Sequence, residues 1–140
     1  MEEEKVLLVV ESKRIAIVGT RSRNTSAAFD VIEKKFWEIY NEGDWIVTGG
    51  CPTGADRFAY LLAKQEAVPL LTFYPNYKRF KRGAPNVRNG SIAENSDCVI
   101  ACVRRPEEGL EEVLKRSRGG TEDMLKKFVK AHPKGMVYLV

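Results

Sequence analysis

The stretch from Trp45 to Lys64, WIVTGGCPTGADRFAYLLAK, constrains the fold more than any other part of the chain. It joins an apolar run, three glycines within six residues, and apolar residues at helical spacing. It reads as a strand, a tight loop and a helix, the connection that parallel strands covered by helices require. Gly49, Gly50 and Gly54 lack Cβ atoms, so a ligand can approach the backbone. The helix start that follows offers unpaired N–H groups and a partial positive charge. The loop is therefore a seat for an anion, unless its glycines serve only the tightness of the turn.

Two well-known phosphate loops are excluded by residue type. Gly49 and Gly54 have the spacing of GxxxxGK[ST], yet Ala55 and Asp56 stand where the phosphate lysine and the magnesium-binding hydroxyl belong, which argues against a nucleoside triphosphatase. Nor does the loop read GxGxxG. Asp56, at the mouth of the helix, can cap it, hold a ribose hydroxyl or take part in acid–base chemistry.

The same rhythm recurs along the chain. Arg14–Val18 is a β-rich run followed by the basic turn Gly19-Thr20-Arg21-Ser22-Arg23-Asn24 and by a helix through Tyr40, with apolar positions 28, 32, 36 and 39 on one face. Asn24, Thr25 or Ser26 can cap that helix. Val68–Tyr74 reads as a strand, Asn86–Asn95 as a short helix and Asp97–Val103 as a buried strand. Gly119-Gly120-Thr121 opens another helix with Met124, Leu125, Phe128 and Val129 inside, and Met136–Val140 is a final strand.

This alternation implies one α/β domain over residues 1–140. It is a Rossmann-like three-layer sandwich with a mostly parallel sheet of about five strands and an additional edge strand or arm within 1–13, carried by Lys5–Val10. Ligands in such sheets lie outside the carboxyl ends of the strands, so the turns at Gly19, Gly49–Gly54 and Gly119–Gly120 should gather along one edge.

Charge and cysteine usage narrow the chemistry. Lys and Arg number 23 against 19 Asp and Glu, a formal +4 that suits an anionic ligand. The cysteines at 51, 98 and 102 have no CxxC spacing and His132 is the single histidine, so a zinc centre is excluded and no metal site is expected. Cys98 and Cys102 would share one face of a strand roughly 13 Å apart, as core thiols. Cys51 sits where a helix start stabilises a thiolate but has no histidine base near it in sequence. The acidic start Met-Glu-Glu-Glu-Lys and the lack of an apolar run near ~18 residues lead to the expectation of a soluble, cytoplasmic protein without a membrane partner.

Two basic segments remain. Pro75–Ala84 interleaves Tyr77 and Phe80 with Lys78, Arg79, Lys81 and Arg82, which either stacks bases and neutralises phosphate or simply faces water. Arg104, Arg105, Arg116 and Arg118 stand among Glu107, Glu108, Glu111 and Glu112, in a helical turn or a flap.

Taken in order, Val18-Gly-Thr-Arg21, Thr48-Gly-Gly-Cys-Pro-Thr-Gly-Ala-Asp56, Asn86-Val-Arg-Asn89 and Gly119-Gly-Thr-Glu-Asp123 resemble the SLOG superfamily. This is the Rossmann-like family of the DNA-processing proteins of the Smf (DprA) type and the LOG cytokinin-activating phosphoribohydrolases. The likeness spans residues 14 to 140 and is greatest to the small stand-alone YspA-like branch. It implies a pocket for a nucleotide or nucleotide-derived ligand, with no further cofactor required. Gly49, Gly50, Thr53, Gly54, Ala55 and Asp56, with Gly119, Gly120 and Thr121, would surround phosphate and ribose. Gly19, Thr20 and Arg21 would line the same edge, and Arg88, beside Asn89, would pair with phosphate.

LOG enzymes carry PGGxGTxxE, whereas this chain places Met124 at the position of the catalytic glutamate. Glu122 or Asp123 could substitute, but neighbours on a helix point about 100° apart, so only one can face the site, and Asp123 is preferred. The leading expectation is a binding protein, a sensor or carrier for a nucleotide-like ligand. The second is an N-glycosidase of nucleoside monophosphates using Asp123 or Asp56. The third is single-strand nucleic-acid binding through Lys78–Arg82, Arg104 and Arg105. A homodimer or higher oligomer is compatible with so small a sheet.

Overall fold

Five apolar runs, Arg14–Gly19, Trp45–Gly49, Leu70–Phe73, Cys98–Cys102 and Met136–Leu139, form strands β1 to β5. In the computed structural model, which describes residues 11–116 and 119–140, they make one parallel sheet in the order β3-β2-β1-β4-β5. The expected fold class is thus what the chain adopts. The Lys5–Val10 run lies outside the described residues.

Parallel neighbours need long crossovers, supplied by α1 (Ser26–Ile39), α2 (Ala55–Glu66), α3 (Tyr77–Phe80), α4 (Ala84–Glu94), α5 (Leu110–Lys115) and α6 (Gly120–Ala131). Because helices cover both faces, the central strands are apolar throughout rather than alternating. Ile15, Ile17, Ile46, Cys98 and Ile100 pack under Ile32 and Phe36 of α1 and Phe58 and Leu62 of α2. Their neighbours Ala16, Val18, Val47, Val99 and Ala101 pack on the opposite face against Ile92 of α4, Val113 of α5, and Met124, Leu125 and Phe128 of α6. Of the helical face expected at 28, 32, 36 and 39, the first three are buried and Ile39 is half-buried. Cys98 and Cys102 are buried free thiols, and burial pushes Cys98 up to about 11.

The strand order positions the site. The chain builds outward from β1 through β2 to β3, then returns past β1 to place β4 on its other flank. Right-handed crossovers in the two directions set α1 and α2 on one face and α4 and α6 on the other. The connections leaving β1 and β4 therefore diverge, and a crevice opens at their carboxyl ends. Register holds those ends level, with Gly19 opposite Cys102.

Local chemistry sets the boundaries. Thr25 caps α1, its hydroxyl accepting from the Ala28 N–H at 3.2 Å. The Asn24 side chain instead accepts from the Gly54 N–H at 2.8 Å and ties the β1 loop to the start of α2. β3 begins at Leu70 rather than Val68, since Pro69 has no N–H to give and contributes its carbonyl to Ile46 at 2.9 Å. The basic segment 75–84 folds into the single turn α3 and a 3₁₀ turn over Lys81–Gly83.

One latch precedes β2. Asp44, 1% exposed, accepts from the backbone N–H of Lys13 at 2.8 Å, that of Asn41 at 2.9 Å, and the Lys13 ammonium. Burial opposes its charge, yet these donors outweigh it and hold the carboxyl below the usual aspartate range. A depressed folded-state value means stability that is present above the ordinary aspartate range, near pH 4, and is lost as pH falls through it. Asp44→Ala strands two N–H groups at about 1–3 kcal/mol each, so roughly 3 kcal/mol should be lost at pH 7 in denaturant melts, with the gap to wild type closing in acid.

Candidate functional site

A cleft of about 700 Å³ opens at the carboxyl ends of β1 and β4. The β1 turn lends it Gly19, Thr20, Arg21 and Ser22. The loop into α2 lends Cys51, Thr53 and Asp56, α4 lends Arg88 and Asn89, and the turn after β4 lends Arg104 and Arg105. Arg116 and Gly119, Gly120, Thr121 and Glu122 complete it. Five arginines thus face two carboxylates, Asp56 and Glu122, among the described residues.

Two helices start near this cleft: α6 lines it from its N-cap Gly119 on, whereas α2 reaches it only at Asp56. α2 and α6 both have glycine at the N-cap, Gly54 at φ +75° and Gly119 at φ +141°, and neither has a side-chain cap. Their first-turn N–H groups lack the usual internal acceptor, which is the condition for receiving an anion.

The pair Arg88-Asn89 works as one device. Asn89, 4% exposed, donates both amide hydrogens across to α6, to the Gly120 carbonyl at 3.1 Å and to Asp123 Oδ2 at 3.0 Å. Its Oδ1 accepts from Arg88 Nε at 3.1 Å and so fixes the plane of the guanidinium. Lys127 Nζ also donates to Asp123, at 2.8 Å.

Asp123, the carboxylate preferred from the sequence, is not on the cleft lining among the described residues. One residue apart on a helix, Glu122 lines the cleft, and Asp123 is turned to the staple between α4 and α6. Asp123 accepts from Asn89 and Lys127, and Met124, at the place of the LOG glutamate, is 1% exposed.

Of the other expected ligand contacts, Gly19, Thr20, Arg21, Thr53, Asp56, Arg88, Asn89, Gly119, Gly120 and Thr121 are brought together in the cleft. Gly49, Gly50, Gly54 and Ala55 are not on its lining. A Cβ on Gly49 would stand 2.5 Å from Arg88 Nη1 and 2.9 Å from Asp56 Oδ2, and one on Gly50 would stand 2.0 Å from the Tyr74 ring. These two glycines make room for the protein's own side chains. Ala55 is buried against the sheet, and Gly54 lies 3.2 Å, from where its Cβ would be, to the Arg21 backbone.

Asp56 is the perturbed carboxylate on the cleft lining. Burial pushes its carboxyl up, against the Cys51 N–H at 3.0 Å, the Thr48 hydroxyl at 3.0 Å and the nearby Arg88 charge. Thr48, 1% exposed, also lies 2.9 Å from the Ile17 carbonyl, so its single hydroxyl hydrogen faces two acceptors. A proton on Asp56 relieves the conflict by donating to Thr48 while Thr48 donates to Ile17.

A raised folded-state value means stability is full below the ordinary aspartate range and falls as pH rises through it toward neutrality. Asp56→Asn supplies the missing hydrogen at every pH. Its melting temperature should exceed that of wild type at pH 7 and converge with it near pH 4, as read by thermal melts across that range.

Cys51 touches the cleft, with its sulfur 3.7 Å from the Thr53 hydroxyl, but has no imidazole partner. His132 ends α6, a 12-residue helix whose other end is at the cleft, so it stands about 18 Å away along the axis. It bonds the Ala93 carbonyl at 2.9 Å. Arg23, another cation of the β1 turn, bonds the carbonyls of Val103 and Val140 and is structural.

Arg105 and Arg116 both reach Glu108, Arg105 at 3.3 Å. The segment Tyr77–Arg82 contributes nothing to the cleft lining. Arg116 was readable only as one of a charge run, because its approach depends on where α5 ends.

Among the described residues no cluster of His, Cys, Asp or Glu could hold a metal ion, and no helix is long and apolar enough to cross a membrane. Fold and site together define a parallel α/β sandwich with a cationic cleft at its topological switch point. Comparison with protein-family models, curated proteins and solved structures returns no match for this chain.

Proposed function

We propose that this protein binds a nucleotide or nucleotide-derived ligand, as a sensor or carrier, with the phosphate held in the β1/β4 cleft. The observation that carries this reading is the uncapped start of α6, Gly119 to Thr121, meeting Arg21, Arg88 and Arg104 on one concave surface. Helix N–H groups and forked guanidiniums both select tetrahedral oxyanions, and a dianion gains from each. The likeness of the four loops to the SLOG superfamily supports the same ligand class.

A thermal-shift screen against nucleoside mono- and diphosphates, ADP-ribose and pyrophosphate tests it. A micromolar binder supplied at a thousand times its Kd adds about 4 kcal/mol to stability, a rise of many degrees for a domain this size. No shift with any phosphate ester at millimolar concentration would falsify the proposal.

A second reading, N-glycosidic hydrolysis, rests on Asp56 and Glu122 lining the same cleft. Cleavage needs a carboxylate beside an oxocarbenium-like ribose and an acid for the leaving base, and the raised Asp56 suits the acid. Incubation with nucleoside monophosphates decides it: absence of free base after hours leaves binding alone.

A further inference from the structure

On the other side of the Gly49–Thr53 loop lies a smaller hollow of about 280 Å³, lined by Thr48, Gly50, Pro52, Tyr60, Thr72 and Tyr74 among others. Among the described residues its only cation is Arg57, against five arginines in the main cleft, so it is no second phosphate seat. Two large aromatic side chains line it and are left to water, Tyr60 at 52% and Tyr74 at 72% exposure.

Tyr74 is not loose there. Its Cδ1 and Cε1 lie 2.0 and 2.2 Å from the place of a Gly50 Cβ, so the ring rests directly on the glycine backbone. Tyr60 follows Asp56 by one helical turn on α2 and thus shares its face. Exposed aromatics beside a charged cleft offer a flat surface to another π-system.

We propose that this hollow is a second subsite, in which Tyr60 and Tyr74 receive the planar aromatic ring of a ligand whose phosphate occupies the main cleft. It rests on the phosphate reading above. Cys51 and Asp56 line both hollows, so the two are neighbours separated by one loop. At about 280 Å³ the smaller one falls below the ~300–1,000 Å³ of a whole-ligand pocket, room for one ring system rather than a complete nucleotide. The hydroxyl of Thr72 and the carboxyl of Asp56 supply polar groups for the ring's edge.

Calorimetric titration of the full chain with ribose 5-phosphate and with AMP, GMP and UMP tests this directly. The nucleotides should bind about tenfold or more tightly than the base-less ester, in line with base–aromatic stacking. Tyr74→Ala and Tyr60→Ala should each erase most of that advantage while leaving ribose 5-phosphate unchanged, and Tyr74→Phe should keep it. Both positions are exposed, so the variants should melt like wild type. Equal binding of ester and nucleotides, or an advantage that survives both alanine variants, overturns the subsite and leaves the phosphate site standing. If no phosphate ester binds at all, both fall.

Discussion

Arg88→Ala should weaken binding of AMP or ADP-ribose about a hundredfold, while shifting the melting temperature of the ligand-free protein by only a few degrees. Truncating one partner of a hydrogen-bonded charge pair costs about 2–5 kcal/mol, and each 1.4 kcal/mol is a factor of ten. Arg88 is half-buried, with its plane fixed by Asn89 and one Nη against Gly49. Its Nε hydrogen bond ends at Asn89, which keeps its own bonds to Gly120 and Asp123 when the guanidinium is gone. The staple between α4 and α6 therefore survives.

Asp56 loses a favourable charge in that variant and moves further toward its protonated form instead of remaining a buried unpaired ion. Titration calorimetry and a ligand-free melt separate the two effects. Undiminished affinity would remove Arg88 from the site.

Gly19→Val should damage fold and binding together. A Cβ at Gly19 would stand 2.7 Å from the Cys102 carbonyl oxygen, 2.8 Å from Cys102 Cβ and 2.9 Å from Ala55 Cβ. Two of these neighbours are a strand backbone and the first residue of a helix, so no rotamer change relieves the contact. β1, β4 and the start of α2 meet here at van der Waals limits. Overpacking typically costs about 1–3 kcal/mol, and a branched side chain wedged against backbone belongs at or above the top of that range.

Against a total stability of about 5–15 kcal/mol, a drop in melting temperature of around ten degrees or more is expected. The phosphate-induced shift should vanish as α2 leaves the β1 turn. Gly90→Ala is the control: nothing lies within 4 Å of its Cβ position inside α4, so it should stabilise by roughly 0.5–1 kcal/mol. A Gly19→Val protein that melts like wild type would show that the three elements do not meet as described.

The layered sheet was legible because its physics is local. Ile15–Val18 and Cys98–Val103 are apolar on both faces, which only a doubly covered strand tolerates, and Ala28, Ile32 and Phe36 keep helical spacing. The gathering of the turns was legible too, since parallel strands put every strand-to-helix loop on one edge. What the sequence could not tell is what each glycine makes room for. Gly49 yields space to Arg88, 39 positions along the chain, and Gly50 to Tyr74.

The choice between Glu122 and Asp123 was likewise hidden. It depends on how α6 is rotated, and that rotation is set by Asn89 on another helix. Arg104 and Arg105 were legible as cations, but their place beside the β1 turn follows from β4 lying next to β1, a long-range fact.

The grip of Glu108 on Arg105 and Arg116 makes the resting cleft carry its own counter-ion. Any entering anion that engages those guanidiniums must compete with a carboxylate already bonded to both. A chloride ion offers one charge and no second acceptor, so it gains little by the exchange, whereas a phosphate dianion can engage both.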